Sequence, residues 1–107
     1  GKIVAAIEVI QTHLPSAKPT SFEGTLLRDA DILEQLGAIA VLRAVSKVGR
    51  DTRFARHADA LRVLRRNVEQ LPAQLDLASA RRLAEPRVKI LKAFLTAAEA
   101  EADGIEL

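Results

Sequence analysis

Apolar residues recur along this chain at three- and four-residue spacing, and no stretch alternates with the period of two that a half-buried strand requires. Ile3, Val4, Ile7, Ile10 and Leu14 predict an amphipathic helix over residues 2–14 that stops before Pro15. Pro15 to Thr20 is a loop by composition, and Thr20 or Ser21 is placed to cap the next helix. Leu26, Leu27, Ala30, Leu33 and Leu36 predict that second helix from about Phe22, with Gly37 as its C-cap or as a point of close helix contact. Ala38 to Val48 reads as a third helix, nearly all apolar on one side, which belongs at the centre of a bundle and stops at Gly49.

A fourth helix is expected from about Thr52 to Leu71, with Leu61, Leu64, Val68 and Leu71 inward and Arg62, Arg65, Arg66 and Glu69 outward, ended by Pro72. Asp76 is placed to cap a last helix whose inward stripe is Leu83, Ala84, Val88, Leu91 and Leu95. Pro86 lies inside it. An interior proline costs about 3 kcal/mol, yet the apolar period stays in phase from Leu83 to Leu95, so a kink is expected and not a break. The pattern predicts a single all-α domain, an irregular bundle of about five helices with the Asp31 helix and the Ala38–Val48 helix at its centre.

Composition agrees: Ala, Leu and Arg are frequent, Gly is scarce and the only aromatic residues are Phe22, Phe54 and Phe94. A chain of 107 residues has room for one modest core. Cysteine is absent, which excludes disulfides and thiolate metal sites, so any metal must be held by imidazole and carboxylate. The longest apolar run, Gly37 to Leu42, is too short to span a bilayer, and no leader pattern begins the chain; a cytoplasmic location without membrane partners is expected. Gly1-Lys2 enters a helical pattern at once, without an initiator Met or an N-cap, so the chain reads as a piece of something longer.

Net charge is only +2, but it is unevenly placed. Arg50, Arg53, Arg56, Arg62, Arg65 and Arg66 face only Asp51 and Asp59 within their stretch, whereas Glu99, Glu101, Asp103 and Glu106 form a tail without a base. Guanidinium groups can pair bidentately with phosphate. These arginines spread round their helix with almost no aromatic residue to stack bases, so a solvated face is expected and a nucleic-acid partner is not. His57 belongs to the same polar surface. No Gly-rich phosphate loop and no Ser or Thr in a nucleophile setting occurs.

The chemistry-bearing stretch is Leu27-Arg28-Asp29-Ala30-Asp31-Ile32-Leu33-Glu34-Gln35-Leu36-Gly37, which sets carboxylates inside an apolar helical pattern. A desolvated carboxylate needs a cation, a metal or several hydrogen bonds. Asp29 and Asp31 stand about 200° apart on a helix, so they cannot serve one site equally. Asp31 shares a stripe with Glu23, Leu27 and Gln35; Asp29 lies angularly between Leu33 and Leu36. Arg28 adjoins both, and His13 lies in the last turn of the first helix.

This run, continued by Ala38-Ile39 and then by Arg43, resembles the aspartate motif of the HD-domain superfamily of metal-dependent phosphohydrolases. Weaker likenesses flank it: Ile10-Gln11-Thr12-His13 and Glu23 upstream, Leu83-Ala84-Glu85-Pro86-Arg87 and Phe94-Leu95 downstream. The resemblance implies that Asp31 ligates a divalent metal, with Asp29 as runner-up, and that His13, Glu23, Arg28 and Gln35 are candidate contacts to substrate or metal. It implies hydrolysis of a phosphate ester or anhydride, of a nucleotide or small phosphorylated metabolite.

The chain departs from the family pattern where the metal chemistry is densest. His13 is succeeded by Leu14 and His57 by Ala58, so the adjacent His-Asp pair that names the family does not occur. One Asp and one His fall short of the three protein ligands that a catalytic divalent site normally needs. The expectation is therefore the C-terminal part of such a domain, inactive by itself and binding no metal alone. The competing expectation is a non-enzymatic helical module that pairs, with a missing half or a second copy, through an exposed apolar surface.

Overall fold

A computed structural model describes residues 21–107. Four α-helices carry the fold: α1 (Phe22–Glu34), α2 (Ala38–Val45), α3 (His57–Gln70) and α4 (Ala78–Ala102), with a short 3-10 turn at Pro72–Gln74. No strand occurs among the described residues, so the all-α expectation holds. The helix expected over residues 2–14, with His13, lies outside them.

Helix α1 starts where Ser21 accepts a hydrogen bond from the Gly24 N–H at 3.0 Å, which satisfies one of the donors a helix start leaves open. It buries Leu27, Ala30, Ile32 and Leu33. The chain then turns at Gly37, whose φ of +96° lies in the left-handed region. A Cβ there would meet the Arg87 Cβ at 3.1 Å. Gly37 is thus the close helix contact and the residue that leads into α2, rather than a C-cap of α1.

Helix α2 is shorter than its apolar pattern suggests. It gives way after Val45 to tighter turns, Lys47 N–H to Ala44 and Val48 N–H to Val45, while the Ser46 hydroxyl donates to the Arg43 carbonyl. Its inner face is Ala40 and Ala44; Ile39 and Leu42 point outward, 65% and 62% exposed. The expected central position is therefore met on one side only.

The segment after α2 is a closed loop where helix was expected from Thr52. The Gly49 N–H donates to the Phe54 carbonyl at 2.9 Å and the Phe54 N–H to the Asp51 carbonyl at 2.8 Å. The Asp51 carboxylate accepts from the Arg53 N–H at 2.9 Å. An Asp that engages the backbone two residues on favours a turn over a helix. The loop inserts Phe54 into the core, and α3 begins at His57, where the Asp59 carboxylate reaches back to the Arg56 N–H at 3.0 Å.

Ala60, Leu64 and Val68 of α3 pack against α2 and α4. Leu36, Leu64, Leu75 and Leu91 are the largest fully buried apolar side chains, each contributing about 1.5–3 kcal/mol by leaving water. Helix α4 is continuous through the exposed Pro86, as its unbroken period implied. Of the expected stripe Ala84, Leu91 and Leu95 are buried and Val88 packs against the core, whereas Leu83 stays about half exposed and Ala80 takes its place. Arg87 of α4 lies directly against Gly37. Among the described residues no helix is long and apolar enough to cross a membrane.

Candidate functional site

The structure separates the two carboxylates of α1 completely. Asp29 is 1% exposed and is the one buried charged residue among those described. One of its oxygens accepts from the Leu77 N–H at 2.8 Å, and both lie 3.2 Å from the Asp76 N–H. These amides belong to the two residues that lead into α4, where the aligned peptide dipoles favour an anion. The cap expected from Asp76 is thus supplied in the opposite sense: Asp76 offers its own N–H, its side chain is exposed, and α4 has no side-chain cap from its N-cap residue Leu77. Asp29 is satisfied structurally, which accounts for its burial without a metal.

Asp31, two residues on, faces out of the fold. Its neighbour is Gln35, whose side-chain amide donates to the Asp31 carbonyl at 3.3 Å and lies 3.4 Å from its carboxylate. Both residues line a cleft of about 310 Å³ between the end of α1, helix α2 and helix α3. Glu34 shares the α1 wall; Arg43 and Lys47 stand on the α2 side, and Asn67 comes from α3. Ala40, Ala44, Phe54, Val63 and Leu64 supply the apolar lining. Arg43 donates to Glu34 at 3.0 Å, and the Lys47 ammonium lies 5.4 Å from the centre of the Phe54 ring.

Of the other candidates, Glu23 is exposed at the start of α1, and Arg28 reaches across to the Gln74 side chain at 3.5 Å; neither lines the cleft. His13 lies outside the described residues. His57 is exposed at the start of α3, its backbone N–H donating to the Leu107 carbonyl at 3.0 Å. Glu34, Lys47 and Asn67 were not anticipated. Glu34 had a readable signal, since it stands three residues from Asp31 on the same helix face, whereas Lys47 and Asn67 arrive only through tertiary packing.

Most of the arginine cluster is engaged. Arg53 pairs with Asp51 at 2.8 Å, Arg62 with Asp59 at 3.1 Å, Arg56 with Glu106 at 3.4 Å, and Arg65 with Glu99. The Arg53 side chain and backbone N–H hold the Asp51 carboxyl down to about 2, and Asp51 in turn raises the Arg53 guanidinium. The Arg56 backbone N–H, with Arg62, lowers Asp59. The acidic tail and the arginine stretch thus neutralise one another in part. Only Arg50 and Arg66 of the cluster have no ion-pair partner among the described residues.

A divalent cation of the kind the family resemblance implies needs three or more protein donors. No group of three or more His, Asp or Glu side chains placed to hold a metal occurs among the described residues. The cleft brings two carboxylates, Asp31 and Glu34, and the second is already paired with Arg43. Residues 21–107 therefore do not by themselves fit a metal; at most they form one wall of such a site. No family model, curated protein or solved structure matches this chain.

Proposed function

We propose that the chain is part of a divalent-metal-dependent phosphohydrolase domain of the HD type, acting on a nucleotide or small phosphate ester. In this reading Asp31 is the carboxylate it contributes to a metal site that residues outside 21–107 complete. The observation that carries the reading is the division of labour on α1. Asp29 is spent on the backbone that opens α4, while Asp31 is left exposed at a polar cleft beside Gln35. An exposed carboxylate with no cation partner among the described residues is available to a ligand; a buried one with two backbone donors is not. Because the donor set is partial, residues 21–107 are expected to give no turnover of a phosphomonoester by themselves.

Paramagnetic Mn²⁺ added to the whole chain tests this, because weak binding broadens nearby amide resonances. Broadening centred on Asp31 to Gln35 and abolished in Asp31→Asn is expected, with Asp29→Asn leaving it in place. Broadening that ignores Asp31, or phosphatase turnover that survives Asp31→Asn, overturns the reading.

A second reading is favoured by α2. Ile39 and Leu42 stand outward one turn apart, an apolar pair of the kind that covers a partner helix. On this reading the module associates through α2 without catalysis. Light scattering across a concentration series decides it: self-association reversed by Leu42→Lys supports pairing, and a monomer at all concentrations argues against a second copy as the partner.

A further inference from the structure

We propose that Arg43 and Lys47 form an anion-holding pair opposite Asp31, and that the ligand of this cleft is a small phosphomonoester, its phosphate seated on the α2 wall. The substrate class rests on the phosphohydrolase reading, but the supporting observations concern the opposite wall of the cleft. The two cations are four residues apart, Arg43 in the last turn of α2 and Lys47 in the turn that follows it, and both line the same cavity. Acids stand on the α1 wall and bases on the α2 wall, so the cleft is electrically divided. A phosphomonoester needs donors for its phosphate oxygens. Arg43 offers a planar fork of N–H groups, Lys47 a point charge, and Asn67 an amide from the third side.

Neither cation is lost to the fold. Arg43 is paired with Glu34, but that pair is solvent-exposed and such pairs are weak, so a dianionic phosphate can displace the carboxylate. Lys47 lies over the Phe54 ring, which holds its chain across the cleft without neutralising it. The cavity volume of about 310 Å³ is at the low end for ligand sites, which favours a compact ligand over a dinucleotide or a polymer. A second groove, beside α4, carries Arg81, Lys89 and Lys92 on its lining and provides an internal comparison for general surface basicity.

Glu34 is the informative residue. If Arg43 is the phosphate ligand, Glu34 competes with the anion, so removing its charge strengthens binding.

The test is an amide-shift titration of the whole chain with inorganic phosphate, then with adenosine monophosphate, in metal-free buffer at fixed ionic strength. Saturable shifts at Arg43, Lys47 and Asn67 are expected. Arg43→Gln and Lys47→Gln should each weaken binding about tenfold, the loss of a charge-assisted hydrogen bond. Glu34→Gln should tighten it severalfold, and Lys92→Gln should leave it unchanged; spectral dispersion of each variant reports that it is folded. Shifts at Arg81, Lys89 and Lys92 equal to those in the cleft, or Glu34→Gln weakening the binding, overturn the proposal. Absence of metal makes the two readings separable: phosphate binding without Mn²⁺ broadening at Asp31 retains the anion pair and removes the metal ligand, and the reverse result removes the anion pair alone.

Discussion

Replacing Asp29 by Ala should be strongly destabilising, although the side chain lost is small. The substitution removes the carboxylate that accepts from the Asp76 and Leu77 N–H groups, at 3.2 and 2.8 Å. Hydrogen bonds to a charged group contribute about 1.5–3 kcal/mol each, and a donor left buried without a partner costs about 1–3 kcal/mol. These descriptions overlap, and the Asp76 contact is long, so a loss of about 3 kcal/mol is the reasoned figure. A domain of this size has roughly 5–15 kcal/mol in total. Urea unfolding monitored by helical circular dichroism measures the effect. With a slope of about 1.5 kcal/mol per molar, the midpoint should fall by about 2 M without a change in slope. Asp29→Asn keeps one oxygen and should cost about half as much. Asp31→Ala, at an exposed position, should cost within about 0.5 kcal/mol. Equal midpoints for Asp29→Ala and Asp31→Ala would refute the assignment of separate roles to the two carboxylates.

Gly37→Ala should destabilise by about 1–3 kcal/mol from a backbone conformation that is essentially glycine's alone, and by more because its Cβ meets Arg87, as read from the same urea midpoint. Pro86→Ala should raise the melting temperature, since an exposed interior position of α4 would regain a helical N–H; a gain of up to about 3 kcal/mol is the ceiling, and no gain would mean that the proline is already accommodated. Asp51 is held at about 2 in the folded chain against an ordinary 3.8, so its contribution is present above pH 4 and is lost as pH falls through about 2. The Gly49–Phe54 loop should therefore loosen between pH 4 and pH 2, visible as a shift of the Arg53 N–H and Nε–H resonances that Asp51→Asn abolishes.

The helices at residues 22–34, 57–70 and 78–102 were legible because their apolar residues keep a helical period over three turns or more. What the period could not show was where each helix is anchored. Asp76 has the composition and position of an N-cap, yet the acceptor comes from Asp29, 47 residues earlier, because any element packed alongside can supply it. Thr52 to Arg56 fits a helical pattern, but the Asp51 carboxylate takes the Arg53 N–H and closes a loop instead. Leu83 keeps the apolar period, yet it stays about half exposed while the smaller Ala80 and Ala84 are buried. The unequal roles of Asp29 and Asp31 were already implicit in their angular separation. The opposite wall of the cleft was not, since Lys47 and Asn67 meet Asp31 only when three helices have packed.

The tie from Asp29 to the start of α4 also constrains the order in which the molecule can be made. Leu77 lies 48 residues after Asp29, and Arg87, which donates to the Leu33 carbonyl, lies 54 after Leu33. At about 5–20 residues per second on the ribosome, α1 waits several seconds for either partner to emerge. Throughout that interval the Asp76 and Leu77 donors are not yet present, so the Asp29 carboxylate is expected to stay in water until the start of α4 arrives.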